Sequence, residues 1–136
     1  MAVTYAVENL MSESLVSVKV GSSLSDAVRA MVEKEIGSVL ISRGREVVGI
    51  LTERDVLKRF CLEPQCAEIS VDEVMTSPLI SIDGHASIGR AADLMAGKKI
   101  RRLLVTVDGE IRGIVTERDI LRSTLYVFKT LSDATV

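Results

Sequence analysis

Apolar and polar positions recur along this chain in one order, twice. Leu15-Val16-Ser17-Val18 and Leu79-Ile80-Ser81-Ile82 alternate in part, as strand ends do. Leu24, Ala27, Val28, Met31 and Val32 then fall at the spacing of one apolar helix stripe. Ile88, Ala91, Ala92, Met95 and Ala96 repeat that stripe with smaller side chains. Ser23-Leu24-Ser25-Asp26 has the form of a capping box with aspartate in the glutamate position, and Ser87 can cap the second stripe. A hairpin follows each helix. Val39-Leu40-Ile41 turns through Ser42 to Arg45 and returns over Val47 to Leu51. Leu103-Leu104-Val105 turns at Asp108-Gly109, a pair suited to the positive φ of a type I′ turn, and returns over Ile111 to Val115. Gly49 and Gly113 interrupt the return strands, which marks a bulge or a close approach to the backbone. A second helix starts at Asp55, running to about Phe60, and at Asp119, running past Leu125 and Phe128 towards Leu131.

The two patterns are one repeat. Val7 to Lys58 aligns without a gap on Val71 to Arg122, and about one position in three is identical. Each copy reads strand, helix, strand, strand, helix, which predicts a mixed α/β (α+β) fold. The predicted organisation is a first repeat over 1–62, a linker over 63–70 containing Pro64, and a second repeat over 71–136. A chain of about 60 residues buries too little surface to be stable alone, so the halves should pack on each other and function should be sought between them.

Composition narrows the function classes. The 136 residues carry a net charge of −2, and the sequence pI is about 5.5, whereas a chain that binds nucleic acid through its overall charge is normally basic. No apolar run approaches the roughly eighteen residues of a membrane span. Met1 to Glu8 lacks the basic and apolar regions of a signal peptide, so a soluble, cytoplasmic protein is expected. Cys61 and Cys66 have no counterparts in the other copy; with one histidine they do not supply four zinc ligands, and they read as linker residues. His85 stands alone in a loop. No nucleophile has a histidine partner and no metal cluster appears, so the chain is read as non-catalytic, without a catalytic cofactor or metal.

The sharpest identity is Gly49-Ile50-Leu51-Thr52-Glu53-Arg54-Asp55 against Gly113-Ile114-Val115-Thr116-Glu117-Arg118-Asp119. Thr-x-x-Asp at a helix start is a capping box, and stabilisation of about 0.5–2 kcal/mol explains it without any ligand. Capping does not require the Glu-Arg pair between them, which is also unchanged. A helix start also presents free N–H groups and positive dipole to an anion, and a carboxylate one turn on can accept two hydrogen bonds from a cis-diol. Ribose carries such a diol next to a phosphate. The two readings are compatible.

Gly-apolar-apolar-Thr-x-x-Asp after a hairpin, in two copies, resembles the CBS domain pair, named after cystathionine β-synthase. The resemblance covers about Ala6 to Arg122. It implies pseudo-symmetric β-α-β-β-α repeats packed through their sheets, with adenosine nucleotides (AMP, ADP or ATP, and in some members S-adenosylmethionine) in the clefts between them. The family's ribose-binding aspartate falls on Asp55 and Asp119, its phosphate-side Thr on Thr52 and Thr116, and its base-contacting apolar residue on Ile50 and Ile114; Arg118 is grouped with them. Family sites borrow across the halves, which implies Val16, Ile36 and Gly37 at the Asp119 site and Ile80 and Ile100 at the Asp55 site. With 3% aromatics, adenine would be held by aliphatic side chains and backbone.

Where the first copy has Glu35-Ile36-Gly37-Ser38, the second has Lys99-Ile100-Arg101-Arg102. The basic run has three readings: a solvated face, a small nucleic-acid patch, or, as the resemblance implies, Arg101 and Arg102 reaching nucleotide phosphates. The resemblance makes the chain a regulatory module that binds adenine nucleotides, most readily at Asp119, forms homodimers and signals to a protein partner. Leu121, Leu125, Phe128 and Leu131 form an apolar stripe fit for a partner or for packing within the chain. A nucleic-acid-binding regulator and a purely structural dimerisation module are the alternatives.

Overall fold

The computed structural model describes residues 6–77 and 79–134. They form β1 (Ser17–Lys19), α1 (Leu24–Lys34), β2 (Ser38–Arg43), β3 (Glu46–Thr52) and α2 (Glu53–Leu62), then β4 (Ser81–Asp83), α3 (Ile88–Lys98), β5 (Arg102–Val107), β6 (Glu110–Thr116) and α4 (Glu117–Ala134). The repeat is therefore present as the sequence predicts. A short 3-10 turn precedes each copy, at Val7–Asn9 and Val71–Glu73.

Packing divides the chain at different points from the repeat. One compact unit is continuous, Leu15–Leu79; the other is composite, joining the segment that ends at Ser14 to the chain from Ile80 onward. The reason lies in the segments that lead into each copy. In the continuous unit Thr76 bridges β3 at Ile50, with amide–carbonyl bonds of 2.8 and 3.1 Å, and Val71 donates its N–H to the Ser22 carbonyl at 2.8 Å. In the composite unit Ser12 bridges β6 at Ile114, with bonds of 2.8 and 3.0 Å, and Val7 donates to the Ala86 carbonyl at 2.9 Å. Val7 and Val71 are fully buried, an anchorage worth about 1.5–3 kcal/mol each. Each lead-in thus covers the open edge of the other copy's hairpin and satisfies backbone groups that would otherwise face water.

Within the continuous unit β1 runs parallel to β2 and β2 antiparallel to β3, and the composite unit repeats this order with β4, β5 and β6. Leu24, Ala27 and Met31 of α1 pack on Val39, Ile41 and Leu51. Ala91 and Met95 of α3 pack on Leu103, Val105 and Val115. Both N-caps form: Ser23 Oγ accepts from the Asp26 amide and Ser87 Oγ from the Arg90 amide, each at 3.1 Å. The helix stripes are narrower than predicted. Val32 is 71% exposed and Ala96 is exposed too, because these final positions have rotated past the face that meets the sheet.

Several boundaries move, and α4, like α2, starts two residues before its aspartate. The first hairpin pairs Arg43 with Glu46, so the turn is Gly44-Arg45, not Ser42 to Arg45. A register shift after Ile41 lets the strands extend further, leaving Val48 unpaired. The second hairpin turns at Asp108-Gly109 as predicted, with φ of 54° and 79°. The helix α2 starts at Glu53 and continues to Leu62, so Cys61 is helical. The linker is no loose connection: Cys66 is buried in the continuous unit's core, and the Ala67 and Ile69 carbonyls accept from the Ser25 and Leu24 amides at 2.9 and 2.8 Å.

Both interior glycines meet a close approach, as their positions predict. A methyl placed on Gly113 would stand 2.8 Å from Met11 Cγ and 2.9 Å from the Ser12 carbonyl oxygen. One on Gly49 would stand 2.9 Å from Met75 Cγ and 3.2 Å from the Thr76 carbonyl oxygen. The lead-in methionines sit where a side chain would be.

Candidate functional site

Each unit delivers a strand directly into a helix start, and the chemistry collects there. In the continuous unit, antiparallel register pairs Ser38 with Thr52, so the beginning of β2 lies beside the end of β3. The Glu53 amide donates to the Gly37 carbonyl at 3.0 Å. Asp55 closes a reciprocal capping box: its Oδ2 accepts from the Thr52 amide at 2.9 Å, and its own amide donates to Thr52 Oγ1 at 3.3 Å. The Thr52 hydroxyl also donates to Oδ2, at 3.0 Å. From the lead-in, the Thr76 hydroxyl lies 3.3 Å from Oδ1 and 3.5 Å from Oδ2. Further along β2, the Val16 carbonyl accepts from the Leu40 amide at 2.9 Å.

The composite unit builds the same entrance with different charge. Arg102 pairs with Thr116, and the Glu117 amide donates to the Arg101 carbonyl at 2.9 Å. Asp119 Oδ2 accepts from the Thr116 amide at 2.9 Å, and the Asp119 amide donates to Thr116 Oγ1 at 3.1 Å. Among the described residues nothing else donates to this carboxylate. Arg101 Nε lies 3.9 Å from Glu117 Oε2, with both side chains about 70% exposed, so this ion pair holds the guanidinium only weakly. The Ile80 carbonyl accepts from the Leu104 amide at 3.1 Å.

The candidate residues therefore fall into two sets. Val16, Ile36, Gly37, Ile50, Thr52 and Asp55 lie in the continuous unit; Ile80, Ile100, Arg101, Arg102, Ile114, Thr116, Arg118 and Asp119 lie in the composite one. The family resemblance assigns Val16, Ile36 and Gly37 to the Asp119 site, and Ile80 and Ile100 to the Asp55 site. Thr76 is the participant that sequence reasoning misses: Met75-Thr76 recurs as Met11-Ser12, but only the methionines are identical.

Chemically, with the amides of Glu53, Asp55, Glu117 and Asp119 already bonded, each entrance offers its helix dipole to an anion and a carboxylate to hydroxyl donors. The basic side chains Arg101, Arg102 and Arg118 gather at the composite unit's entrance; the continuous unit has Gly37, Ser38 and Arg54 at the matching positions. An open recess on α3 is lined by Ser87, Gly89, Arg90, Asp93 and Leu94 and includes no entrance residue. Among the described residues no helix is long and apolar enough to cross a membrane.

The family model of the CBS domain matches residues 7–61 and 71–126. This chain belongs to the CBS-domain family. A 33.4 kDa protein from the ribosomal RNA operon of Thermofilum pendens, itself uncharacterized, is 31% identical over 126 residues, which are 85% of this chain and 42% of that protein. A homoserine O-acetyltransferase of Methanohalobium evestigatum is 32% identical over 118 residues, 85% of this chain and 23% of the transferase. The chain thus spans less than half the length of either. Among solved structures, the CBS domain pair of protein MJ0100, in complex with 5′-methylthioadenosine and S-adenosyl-L-methionine, is 25% identical at a TM-score of 0.76, covering 91% of this chain and 97% of that one. CBSX2 in complex with AMP is 27% identical at a TM-score of 0.74, covering 90% and 98%.

Proposed function

We propose that this CBS pair is a non-catalytic, cytoplasmic regulatory module whose helix entrances bind adenosyl ligands, AMP foremost, and which passes occupancy to a protein partner. The supporting observation is the Asp119 entrance: one carboxylate oxygen caps the helix while the other has no donor among the described residues, and Arg101, Arg102 and the helix start stand beside it. The cap orients the carboxylate, and the open oxygen is available to ribose hydroxyls. The arginines and the positive end of the helix dipole suit a phosphate. CBS pairs of similar fold hold AMP, or methylthioadenosine and S-adenosylmethionine, which supports an adenosyl ligand here.

A thermal-shift panel of AMP, ADP, ATP, S-adenosylmethionine and NADH tests the reading, with AMP expected to raise the melting temperature most. No shift with any adenosyl compound would remove it. Arg101→Ala should weaken AMP about tenfold, the loss of one charge-assisted bond, while leaving adenosine nearly unchanged; a matched loss for both denies Arg101 a phosphate role. Leu121, Leu125, Phe128 and Leu131 are all exposed along α4, which supports a homodimer through that helix. Sedimentation of a Phe128→Glu variant as the same species as wild type would count against it.

A further inference from the structure

The two aspartates share a motif and a reciprocal bond with the capping threonine, yet their carboxylates are not equally available. A carboxylate has about four acceptor positions. Asp119 spends one, on the Thr116 amide. Asp55 takes the Thr52 amide, the Thr52 hydroxyl and, shared between both its oxygens, the Thr76 hydroxyl. Thr76 sits on the lead-in strand, locked against β3 by its backbone bonds to Ile50, so its hydroxyl is delivered to Asp55 by the fold itself. Ser12 occupies the same register against Ile114, but among the described residues no hydrogen bond joins its side chain to Asp119.

We propose that Thr76 is the residue that sets the two sites apart: its hydroxyl competes with a ligand's diol for the Asp55 carboxylate and lowers the affinity of that entrance. This rests on the adenosyl-ligand reading and adds to it a specific, removable competitor. A cis-diol needs two acceptor positions, and Asp55 has about one left until Thr76 lets go. Donation to a charged acceptor is a strong bond to displace. The predicted order of occupancy, Asp119 before Asp55, then follows from a side chain outside both Thr-x-x-Asp motifs.

The experiment isolates the weaker site with Asp119→Ala and measures adenosine and 2′-deoxyadenosine binding by calorimetry. Adding Thr76→Val keeps the β-branched shape and the backbone pairing but removes the donor. It should tighten adenosine about fivefold, a modest share of one charged hydrogen bond, and tighten 2′-deoxyadenosine less. Thr76→Ser, which restores a donor, should return adenosine affinity to that of the parent. Unchanged or weakened adenosine binding in the Thr76→Val protein overturns the proposal, as does failure of both proteins to bind while wild type does. If wild type itself binds no adenosine, AMP or S-adenosylmethionine, the adenosyl reading falls and takes this inference with it.

Discussion

The helix entrances at Asp55 and Asp119 are built from the same four-residue motif on the same strand-to-helix turn, and they differ in what surrounds the motif. At Asp119 the cap consumes one carboxylate oxygen, and arginine occupies both positions across the strand pair. At Asp55 glycine and serine occupy those positions, and a threonine from the lead-in strand reaches the carboxylate. The cap is needed by both helices, so duplication preserved it. Under the proposed function, ligand-binding capacity would depend on neighbours that the fold can vary without disturbing the helix. Inequivalent sites on equivalent scaffolds are therefore easy to produce.

The widest gap between the two should appear in ligand-linked stability. A ligand at 100 times its dissociation constant adds about 2.7 kcal/mol. Asp119→Ala should abolish the stabilisation conferred by AMP, whereas Asp55→Ala should reduce it less. Both substitutions also remove a cap, at a cost of about 0.5–2 kcal/mol, so each variant is compared with its own unliganded melt. Full, equal AMP shifts in both variants would contradict the site assignment.

The lead-in strands give a second contrast, with a smaller expected effect. A methyl on Gly113 would press on the Ser12 carbonyl at 2.9 Å, and that carbonyl is fixed by its bond from the Ile114 amide. On Gly49 the nearest backbone atom is at 3.2 Å, and the closer contacts are to the flexible Met75 side chain. Backbone yields less readily than a thioether. Gly113→Ala should therefore cost about 2 kcal/mol and Gly49→Ala about 1 kcal/mol in urea unfolding. Equal costs, or the reverse order, would show that the two lead-ins are not gripped differently.

Much of this architecture was legible in the sequence because repetition doubled each signal. The Ser23 cap and the Asp108-Gly109 turn needed only local physics, and each formed where expected. The lead-ins were not legible. Val7 and Val71 look like ordinary apolar residues before a strand, and nothing local says that each segment closes the hairpin of the other copy. Cys66 was hidden for the same reason, since its burial depends on α1 folding back over residues 67–69. At the site, motif spacing placed Thr52 and Asp55 on one cap. It did not reveal Thr76, whose approach depends on a pairing across 26 residues of chain, from Ile50 to Thr76.

The lead-ins also differ in how they are tied at their other end, and acid should expose this. In the continuous unit Asp72 Oδ1 accepts from the Gly21 amide at 2.8 Å and from the Ser70 hydroxyl at 3.1 Å, and the Gly21 bond above all holds this carboxyl below its ordinary value of 3.8. In the composite unit the matching residue is Glu8, whose Oε1 is only within 4.0 Å of His85 Nε2; the lowered carboxyl there is Asp83, held by the His85 amide at 2.8 Å and, secondarily, by the His85 ring. A carboxyl lowered in the folded state contributes its full stability above its unfolded pKa and loses it as pH falls through the folded one. For Asp72 the affected bond anchors a lead-in; for Asp83 it lies within a loop. Between about pH 5 and pH 3, Asp72→Asn should therefore flatten the decline in melting temperature. Asp83→Asn should flatten it too, but without loosening the Ser12–Ile114 pairing in hydrogen exchange. An acid slope unchanged by Asp72→Asn would mean that the Gly21–Asp72 bond contributes nothing to holding the continuous unit's lead-in.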